Sequence, residues 1–277
     1  MPTKEILYYL GIDVGSVSTK LVLLGTERQP LAQACLPTHG QPSTALKAGL
    51  LCIQQQLPQG ADIALVAVTG SAREMIGQLV GADIVKNEVT CQAAATLHYY
   101  PQVRTIIEIG GQDSKIILIK DGHVADFGMN TICAAGTGSF IDHQAQRLGL
   151  TAKQLGDLAC LSKAPAMLSG RCTVFAESEM IHKQQSGASP EDIVYGLCQT
   201  LVHNYLNSVA SGKEILPPVI FQGGLSFNRG IVRALQEELR CQVVIPPMPQ
   251  LMGAIGAALL ATSHPTNMPS HFKGFCL

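Results

Sequence analysis

The sequence predicts an α/β protein built from two related domains. Two stretches, IDVGSVSTKLVLL at 12–24 and IEIGGQDSKIILI at 107–119, align without a gap, and each lies between β-rich runs. Copies this far apart along the chain indicate a duplicated domain rather than a short repeat array. Apolar residues make up 47% of the chain and charged residues only 14%, a balance that suits sheets covered on both faces.

Both stretches carry the same three residue types in the same order. An acidic residue is followed two places on by glycine and seven places on by lysine: Asp13, Gly15 and Lys20, then Glu108, Gly110 and Lys115. The flanking runs predict a strand, a tight turn and a second strand, which is a β-hairpin. A carboxylate beside a glycine turn is able to hold Mg²⁺ through water, while turn amides and hydroxyls bind phosphate oxygens. The hydroxyls of the first turn are those of Ser16, Ser18 and Thr19.

The rest of the chain reads as mixed strands and helices. Periodicity predicts helices at 43–57, at SAREMIGQLVG behind a serine N-cap, at GTGSFIDHQAQRLGL, at 189–210 and at RGIVRALQEELR. Strands are predicted at 61–70, at PPVIFQ and at CQVVIPP. In the helix at 189–210, Ser189 is the expected N-cap and Pro190 the first helical residue.

The duplicated hairpins also suggest where the domains begin and end. We expect a first domain of residues 1–104, which a C-terminal helix at about 248–265 completes. A second domain of residues 105–247 contains two cysteine-bearing motifs, and residues 266–277 form a tail.

Composition excludes several classes of function. The net charge is −1, with no cluster of lysine or arginine, so we expect no nucleic-acid partner. The longest late apolar stretch, GAIGAALLA at 253–261, is less than half of what a bilayer requires, and the N-terminal run is too short for a signal peptide. We therefore expect a cytoplasmic protein without a membrane partner. Its nine cysteines should then be thiols, and the absence of any CxxC argues against a zinc ribbon or a ferredoxin run.

Two glycine-rich segments differ from the known phosphate-binding motifs. GSVSTK lacks the second glycine of a Walker A loop and leads into a strand, and AGTGSFI lacks the third glycine of a dinucleotide fingerprint. FQGGLSFNRG supplies a third glycine turn before a helix, where Gly223 and Gly224 leave room for a nucleoside to lie against the backbone.

Together these features resemble the superfamily of actin, sugar kinases and heat-shock chaperone ATPases. The resemblance implies duplicated ribonuclease-H-like domains with an ATP cleft between them. Within that superfamily, several motifs are similar to the ATPase activators of 2-hydroxyacyl-CoA dehydratases and to the related ATPase subunits of benzoyl-CoA reductase. The similarity spans roughly residues 6–262. The motifs are GIDVGSVSTK, NEVTCQA, IEIGGQDSK, CAAGTGSFID, CTVFAESEMI, GGLSFNRGI and GAIGAA.

The resemblance implies a set of nucleotide-site residues for ATP, ADP and Mg²⁺. Asp13 and Glu108 are expected to be catalytic, through the Mg²⁺–water network and the orientation of the attacking water. Whether Glu108 or Asp113 orients that water stays open, as does whether Lys20 and Lys115 reach phosphate or project into solvent. The expected ATP-binding residues are Gly15, Ser16, Ser18, Thr19, Lys20, Gly110, Gly111, Gln112, Asp113, Ala134, Ala135, Gly136, Thr137, Gly223, Gly224 and Gln250.

The resemblance also implies a [4Fe–4S] cluster on Cys133 and Cys172, the two cysteines inside the specific motifs. A cluster takes four thiolates and one chain offers two, so a homodimer would share one cluster. Both cysteines directly precede expected helix starts, which lower the pKa of a thiol. Ferredoxin or flavodoxin would donate the electron, and an iron–sulfur dehydratase or reductase would receive it.

Two other functions stay open from the sequence. One is a metabolite kinase of the same superfamily whose cysteines are incidental, and the other is a regulatory module that senses ATP and redox state. The loop VTGSARE at 68–74 departs from the glycine–aromatic–glycine–arginine turn of the resembling family, and only Arg73 fits.

Overall fold

A computed structural model describes residues 7–58, 61–130, 137–168, 173–265 and 269–277. The chain separates into two compact units. One unit comprises Met1–Pro101 with Leu251–Leu277, and the other comprises Gln102–Gln250.

The first unit contains a mixed five-stranded sheet in the order β3-β2-β1-β4-β5. β2 pairs antiparallel with β1 and β3, whereas β4 pairs parallel with β1 and β5. All seven residues of the central strand β1 are buried, as expected for a strand with both faces covered. The elements are β1 (Tyr8–Val14), β2 (Ser18–Leu24), β3 (Pro30–Pro37), α1 (Pro42–Gln54), β4 (Ile63–Thr69), α2 (Arg73–Val80), β5 (Ile84–Val85), α3 (Glu88–Tyr99) and, from the C-terminal part, α9 (Met252–Thr262).

The second unit repeats this arrangement. Its sheet has the order β8-β7-β6-β9-β10, with antiparallel pairs β6/β7 and β7/β8 and parallel pairs β6/β9 and β9/β10. The shared strand order confirms the predicted duplicated α/β fold. The elements are β6 (Thr105–Ile109), β7 (Ser114–Lys120), β8 (His123–Asn130), α4 (Gly138–Arg147), α5 (Ala152–Ala159), α6 (Thr173–Gln185), α7 (Pro190–Ser208), β9 (Val219–Gln222), α8 (Arg229–Leu239) and β10 (Val243–Val244).

Local capping signals were predictive for one helix and wrong for another. The side chain of Ser189 caps α7 by accepting the Asp192 N–H at 3.3 Å, and Pro190 is the first helical residue, as predicted. The serine N-cap predicted for α2 is wrong. Ala72 occupies that position, and the Ser71 hydroxyl instead donates to the carbonyl of Val14 at 3.4 Å.

Helix α9 is buried along nearly its whole length because its small residues let it approach other backbone segments closely. A Cβ on Gly256 would lie 1.8 Å from the Cys91 carbonyl oxygen of α3. On the β1 side, a Cβ on Gly11 would lie 2.0 Å from the carbonyl oxygen of Ala254. Glycine is therefore required at these two close approaches of α9 to the backbone of its neighbours.

Residues 162–168 are fastened to the first turns of α7. The Asp192 carboxylate accepts hydrogen bonds from the Ser162 hydroxyl at 2.6 Å and from the N–H groups of Lys163 and Ala164 at 3.0 and 2.9 Å. The hydrogen bond from Ser162, followed by that from Ala164, lowers the pKa of Asp192 to about 2. The chain that leads towards Cys172 is thus fixed to α7 as far as Leu168, whose carbonyl accepts the Thr200 hydroxyl at 3.2 Å.

The C-terminal tail packs on the first unit. Phe272, Phe275 and Leu277 contact its hydrophobic core. Asp83 accepts hydrogen bonds from the Ser270 hydroxyl at 2.7 Å and from the His271 N–H at 2.8 Å. The described residues after 268 therefore form part of this unit's packing. No helix among the described residues is both long and apolar enough to cross a bilayer.

Replacing Gly256 by alanine should destabilise the fold. The added methyl would overlap the Cys91 carbonyl, and such overpacking costs about 2–3 kcal/mol. Gly77→Ala is the matched control, since its Cβ would meet side-chain atoms and no backbone: Val85 Cγ2 at 2.8 Å and Ala82 Cβ at 3.7 Å. Both changes gain similar helix propensity, so urea unfolding should show a clear loss for Gly256→Ala alone. Equal losses in the two variants would contradict the close approach of α9 to α3.

The stabilisation that Asp192 provides should depend on pH. Its pKa is about 2 in the folded chain and about 3.9 when unfolded, so the ionised carboxylate stabilises the fold above about pH 4. That contribution is lost as the pH falls towards 2. Asp192→Asn should therefore lower Tm at pH 6 and lower it progressively less towards pH 2.5. Asp121→Asn, in an exposed turn, is the control, and a Tm difference for Asp192→Asn that stays constant with pH would refute the assignment.

Candidate functional site

The first predicted turn joins β1 to β2 and covers residues 15–18, called here the first turn. It is closed by a hydrogen bond from the Gly15 N–H to the Ser18 carbonyl at 3.0 Å. Asp13, near the end of β1, lies opposite Lys20 in the strand register, and Lys20 Nζ is 3.3 Å from Asp13 Oδ2. The carboxylate is buried and the exposed tip of the turn is formed by Ser16 and Val17.

The second turn, residues 110–113, has the same geometry in the other unit. The Gly110 N–H donates to the Asp113 carbonyl at 2.9 Å. Glu108 lies opposite Lys115 in the register, and Lys115 Nζ is 3.1 Å from Glu108 Oε2 and 2.6 Å from Asp113 Oδ2. The structure thus reproduces the predicted hairpin twice, with an acid and a lysine paired across the strands each time.

Neither lysine is an ordinary surface residue. Lys115 is 1% exposed, so the alternative that it projects into solvent is wrong. The Lys20 side chain is 18% exposed and is also paired. A buried ammonium group must be paired because it has lost its hydration, and the pairing holds the neighbouring carboxylates in place.

The glycine pair predicted for the nucleoside has two separate roles. Gly223 has a φ of +91°, and a Cβ there would lie 2.4 Å from the Ile109 carbonyl oxygen and 2.9 Å from Glu108 Oε1. Gly223 is therefore required by the protein's own packing beside Glu108, and its N–H donates to the Pro249 carbonyl at 2.9 Å. Gly224 is exposed, with no atom within 4 Å of the Cβ position, so it leaves open space.

Two residues that lie beside Asp13 could not be recognised as site residues from the sequence. A Cβ on Gly253, the second residue of α9, would lie 2.6 Å from Asp13 Oδ2 and 3.3 Å from Gln92 Nε2. Gly253 therefore makes room for the carboxylate at the N-terminus of α9, whose dipole favours negative charge. The only sequence signal was that Gln92 and Gly253 fall in NEVTCQA and GAIGAA, two of the motifs that carry the family resemblance.

In the second unit, Gln222 of β9 is another site residue that could not be recognised from the sequence. It is fully buried and lies opposite Glu108 in the parallel register, next to the glycine pair. Gln250 follows Pro249 in a short 3₁₀ helix, and its Oε1 is buried without a hydrogen-bond partner among the described residues. The Gly223–Pro249 hydrogen bond thus brings the glycine pair close to the segment that carries Gln250.

Several predicted residues lie outside the part that the structure describes. These are Cys133, Ala134, Ala135, Gly136 and Cys172. Thr137 is described, is fully buried and is the N-cap residue of α4, which begins at Gly138. Helix α6 begins at Thr173, the residue that follows Cys172 in the sequence.

The seven described cysteines are all free, forming no disulfide. Burial raises the pKa of the Cys91 thiol to about 12 and raises the pKa of the Cys198 and Cys241 thiols as well. These groups therefore stay protonated at neutral pH. Within the described ranges, no group of three or more His, Cys, Asp or Glu side chains is placed to hold a metal ion.

Comparison with known proteins identifies relatives along nearly the whole chain. The 2-hydroxyisocaproyl-CoA dehydratase activator of Clostridioides difficile is 37% identical over 265 residues, which cover 92% of this chain and 95% of the relative. A solved structure of the activator of the 2-hydroxyisocaproyl-CoA dehydratase from Clostridium difficile, with bound ADPNP, superposes with a TM-score of 0.81 at 34% identity. It covers 93% of this chain and 95% of that one.

A more distant structure shows how widely the fold is used. A ROK family glucokinase from Streptomyces griseus matches with a TM-score of 0.56 at 13% identity, covering 93% of this chain and 100% of the glucokinase. This likeness confirms the predicted sugar-kinase type of fold. The family model for the BadF/BadG/BcrA/BcrD ATPase family matches residues 10–261. The chain therefore belongs to this family of ATPases, as the motifs of its sequence predicted.

Proposed function

We propose that this chain is a homodimeric iron–sulfur ATPase that couples ATP hydrolysis to low-potential one-electron transfer. Its partner is a 2-hydroxyacyl-CoA dehydratase-like or acyl-CoA reductase-like enzyme, which it activates. The observation that carries the proposal is the acid–glycine–lysine turn, which occurs with matching geometry in both units. A relative of this chain is named a dehydratase activator. The turns provide the nucleotide chemistry, and the two motif cysteines provide the electron chemistry.

The geometry of both turns supports phosphate binding. Each turn is closed by one backbone hydrogen bond, which leaves the amides at its tip available to donate to phosphate oxygens. The neighbouring glycine pair and Gln250 complete the nucleotide site. Thr19 acts as support rather than as a ligand, because its buried hydroxyl lies 3.0 Å from that of Thr38.

Asp13 and Glu108 are the proposed catalytic carboxylates. Each is about 6% exposed and is paired with a lysine, which fixes it in a position to orient the attacking water. Carboxylate oxygens are ligands that Mg²⁺ prefers, and each of these carboxylates is able to hold the ion through water. When bound, Mg²⁺ neutralises charge on the phosphates. Catalysis by the chain itself rests on positioning and charge, as is usual for phosphoryl transfer.

The arrangement around the two motif cysteines supports their use as thiolate ligands. Helix α6 begins directly after Cys172 in the sequence, where a helix start favours a thiolate, and α4 begins five residues after Cys133. By contrast, burial keeps Cys91, Cys198 and Cys241 protonated. Cys133 and Cys172 thus fit a [4Fe–4S] cluster as two of its four ligands, and the same pair from a second copy completes the set.

The redox role is proposed from the chemistry of the cluster. A [4Fe–4S] cluster held by these cysteines would supply one-electron chemistry, at a potential that hydrogen bonds to its sulfurs and its solvent exposure set. A ferredoxin or flavodoxin would be the electron donor, and the iron–sulfur centre of the dehydratase-like or reductase-like partner would be the acceptor. The proposal takes the class of partner from the name of the Clostridioides difficile relative.

Replacing either catalytic carboxylate by an amide should strongly slow ATP turnover while nucleotide still binds. Asp13→Asn and Glu108→Gln should each lower kcat about 100-fold, because the attacking water is no longer held by a charged acceptor. Steady-state phosphate release gives kcat, and fluorescence titration gives the affinity for ADP. Asp121→Asn makes the same carboxylate-to-amide change in an exposed turn and should hydrolyse ATP normally. Unchanged turnover in both Asp13→Asn and Glu108→Gln would remove these residues from the mechanism.

Replacing either motif cysteine should prevent cluster assembly. After anaerobic purification with iron and sulfide, Cys133→Ser and Cys172→Ser should hold little iron and lack charge-transfer absorption, because a serine oxygen is a poor substitute for a thiolate. Cys35→Ser and Cys276→Ser, at exposed cysteines, are the controls and should keep about four irons per dimer. ADP titration checks that all four variants are folded. A colourless, iron-free wild-type protein would refute the iron–sulfur part, and phosphorylation of a metabolite would favour a kinase instead.

A further inference from the structure

We propose that Ser139 is a positioning residue of the second turn, and that phosphate binding at this turn is transmitted through Ser139 to helix α4. The inference rests on the proposed role of residues 110–113 in binding nucleotide phosphate. It assigns to α4 a role in responding to phosphate binding, which its sequence motif did not indicate.

Three hydrogen bonds join the N-terminus of α4 to the second turn. The Gly138 N–H donates to the Gly110 carbonyl at 2.8 Å, and the Ser139 N–H donates to the Gly111 carbonyl at 2.7 Å. The Ser139 hydroxyl also donates to the Gly111 carbonyl. Two backbone amides at the start of α4, which a helix leaves without intrahelical partners, are thereby satisfied by the turn.

These contacts decide which way the turn amides point. In a trans peptide, the carbonyl of one residue and the N–H of the next point in opposite directions. Holding the carbonyls of Gly110 and Gly111 against α4 therefore turns the N–H groups of Gly111 and Gln112 away from α4. Those are the amides that the proposed phosphate site requires.

The start of α4 is tightly packed against the second turn. Gly138 is buried, and a Cβ on it would lie 2.9 Å from the Gly110 carbonyl oxygen and 3.4 Å from Gly111 Cα. A shift of the turn must consequently either move the first residues of α4 or break the hydrogen bonds. Tightly packed contacts transmit such shifts because they do not deform gradually.

The first turn is supported in a different way, which makes the role of α4 specific to the second. The Gly15 carbonyl accepts the Thr38 hydroxyl at 2.9 Å, and Thr19 supports Thr38 from behind. Thr38 directly follows β3, which is paired along its length with β2, so this support belongs to the sheet. In the second turn, Ser114 occupies the place of Thr19, and its buried hydroxyl has no partner among the described residues. The second turn depends on a helix instead.

Amide hydrogen exchange, measured by mass spectrometry on the anaerobically purified full chain, tests the proposal with ADP as the ligand. In wild type, saturating ADP should slow exchange in the peptide covering 138–147 by about threefold or more. In Ser139→Ala the affinity for ADP should fall about fivefold, as for the loss of one hydrogen bond. Even with ADP at saturation, the ADP-dependent slowing in this peptide should then be largely lost.

Two further variants separate positioning from general stability. Ser139→Thr keeps the hydroxyl and should restore the response to ADP. Ser186→Ala removes a hydroxyl near the C-terminal end of α6 and should behave as wild type. A purely structural role for Ser139 would speed exchange in 138–147 equally with and without ADP, which would overturn the proposal.

The outcomes also distinguish this inference from the proposed function. If wild type binds ADP but exchange in 138–147 does not change, or if Ser139→Ala keeps the full response, the role of Ser139 is refuted while nucleotide binding stands. If wild type binds no ADP, both are refuted. The wild-type comparison does not depend on the folding of any variant.

Discussion

A buried carboxylate paired with a lysine from the neighbouring strand is the constraint on which both halves of the molecule depend. Asp13 and Lys20 are register partners, as are Glu108 and Lys115. Because side chains alternate between the two faces of a strand, a register slip of one residue would put the lysine on the opposite face. The buried carboxylate would then be unpaired, at a cost of several kcal/mol. Charge pairing and strand pairing therefore enforce each other, and the turn between them is fixed.

Duplication has kept the turn and changed what supports it. In the first unit the support comes from Thr38 at the end of a paired strand, and in the second it comes from Gly138 and Ser139 at the start of α4. Only the second arrangement connects the turn to a helix that begins five residues after a motif cysteine, Cys133, in the sequence. Of two turns with the same internal geometry, one is thereby supported by its sheet and the other by a helix. The proposed coupling of nucleotide to a distant group requires a turn of the second kind.

The fold and the two turns were predictable because their signals are local. The hairpins and the N-cap of α7 are each determined by residues that are close together in the sequence. The serine cap of α2 was wrong because the Ser71 hydroxyl instead reaches Val14, a contact between residues distant in the sequence. The burial of Lys115 could not be read from an isolated strand, since a lysine beside a turn usually faces solvent. Gln92 and Gly253 lie beside Asp13 only because α3 and α9 pack together.

The composition of α9 is a consequence of what its first turn must accommodate. Its N-terminus lies against the Asp13 carboxylate, so Gly253 has no side chain, and its next turn lies against the backbone of α3, so Gly256 has none either. A helix with two glycines at such positions forgoes about 1 kcal/mol of helix propensity for each. Burial of its remaining apolar residues offsets that loss. The apolar run GAIGAALLA is too short to span a membrane. Its glycines are explained by the close approach of this helix to a charged group and to a neighbouring backbone.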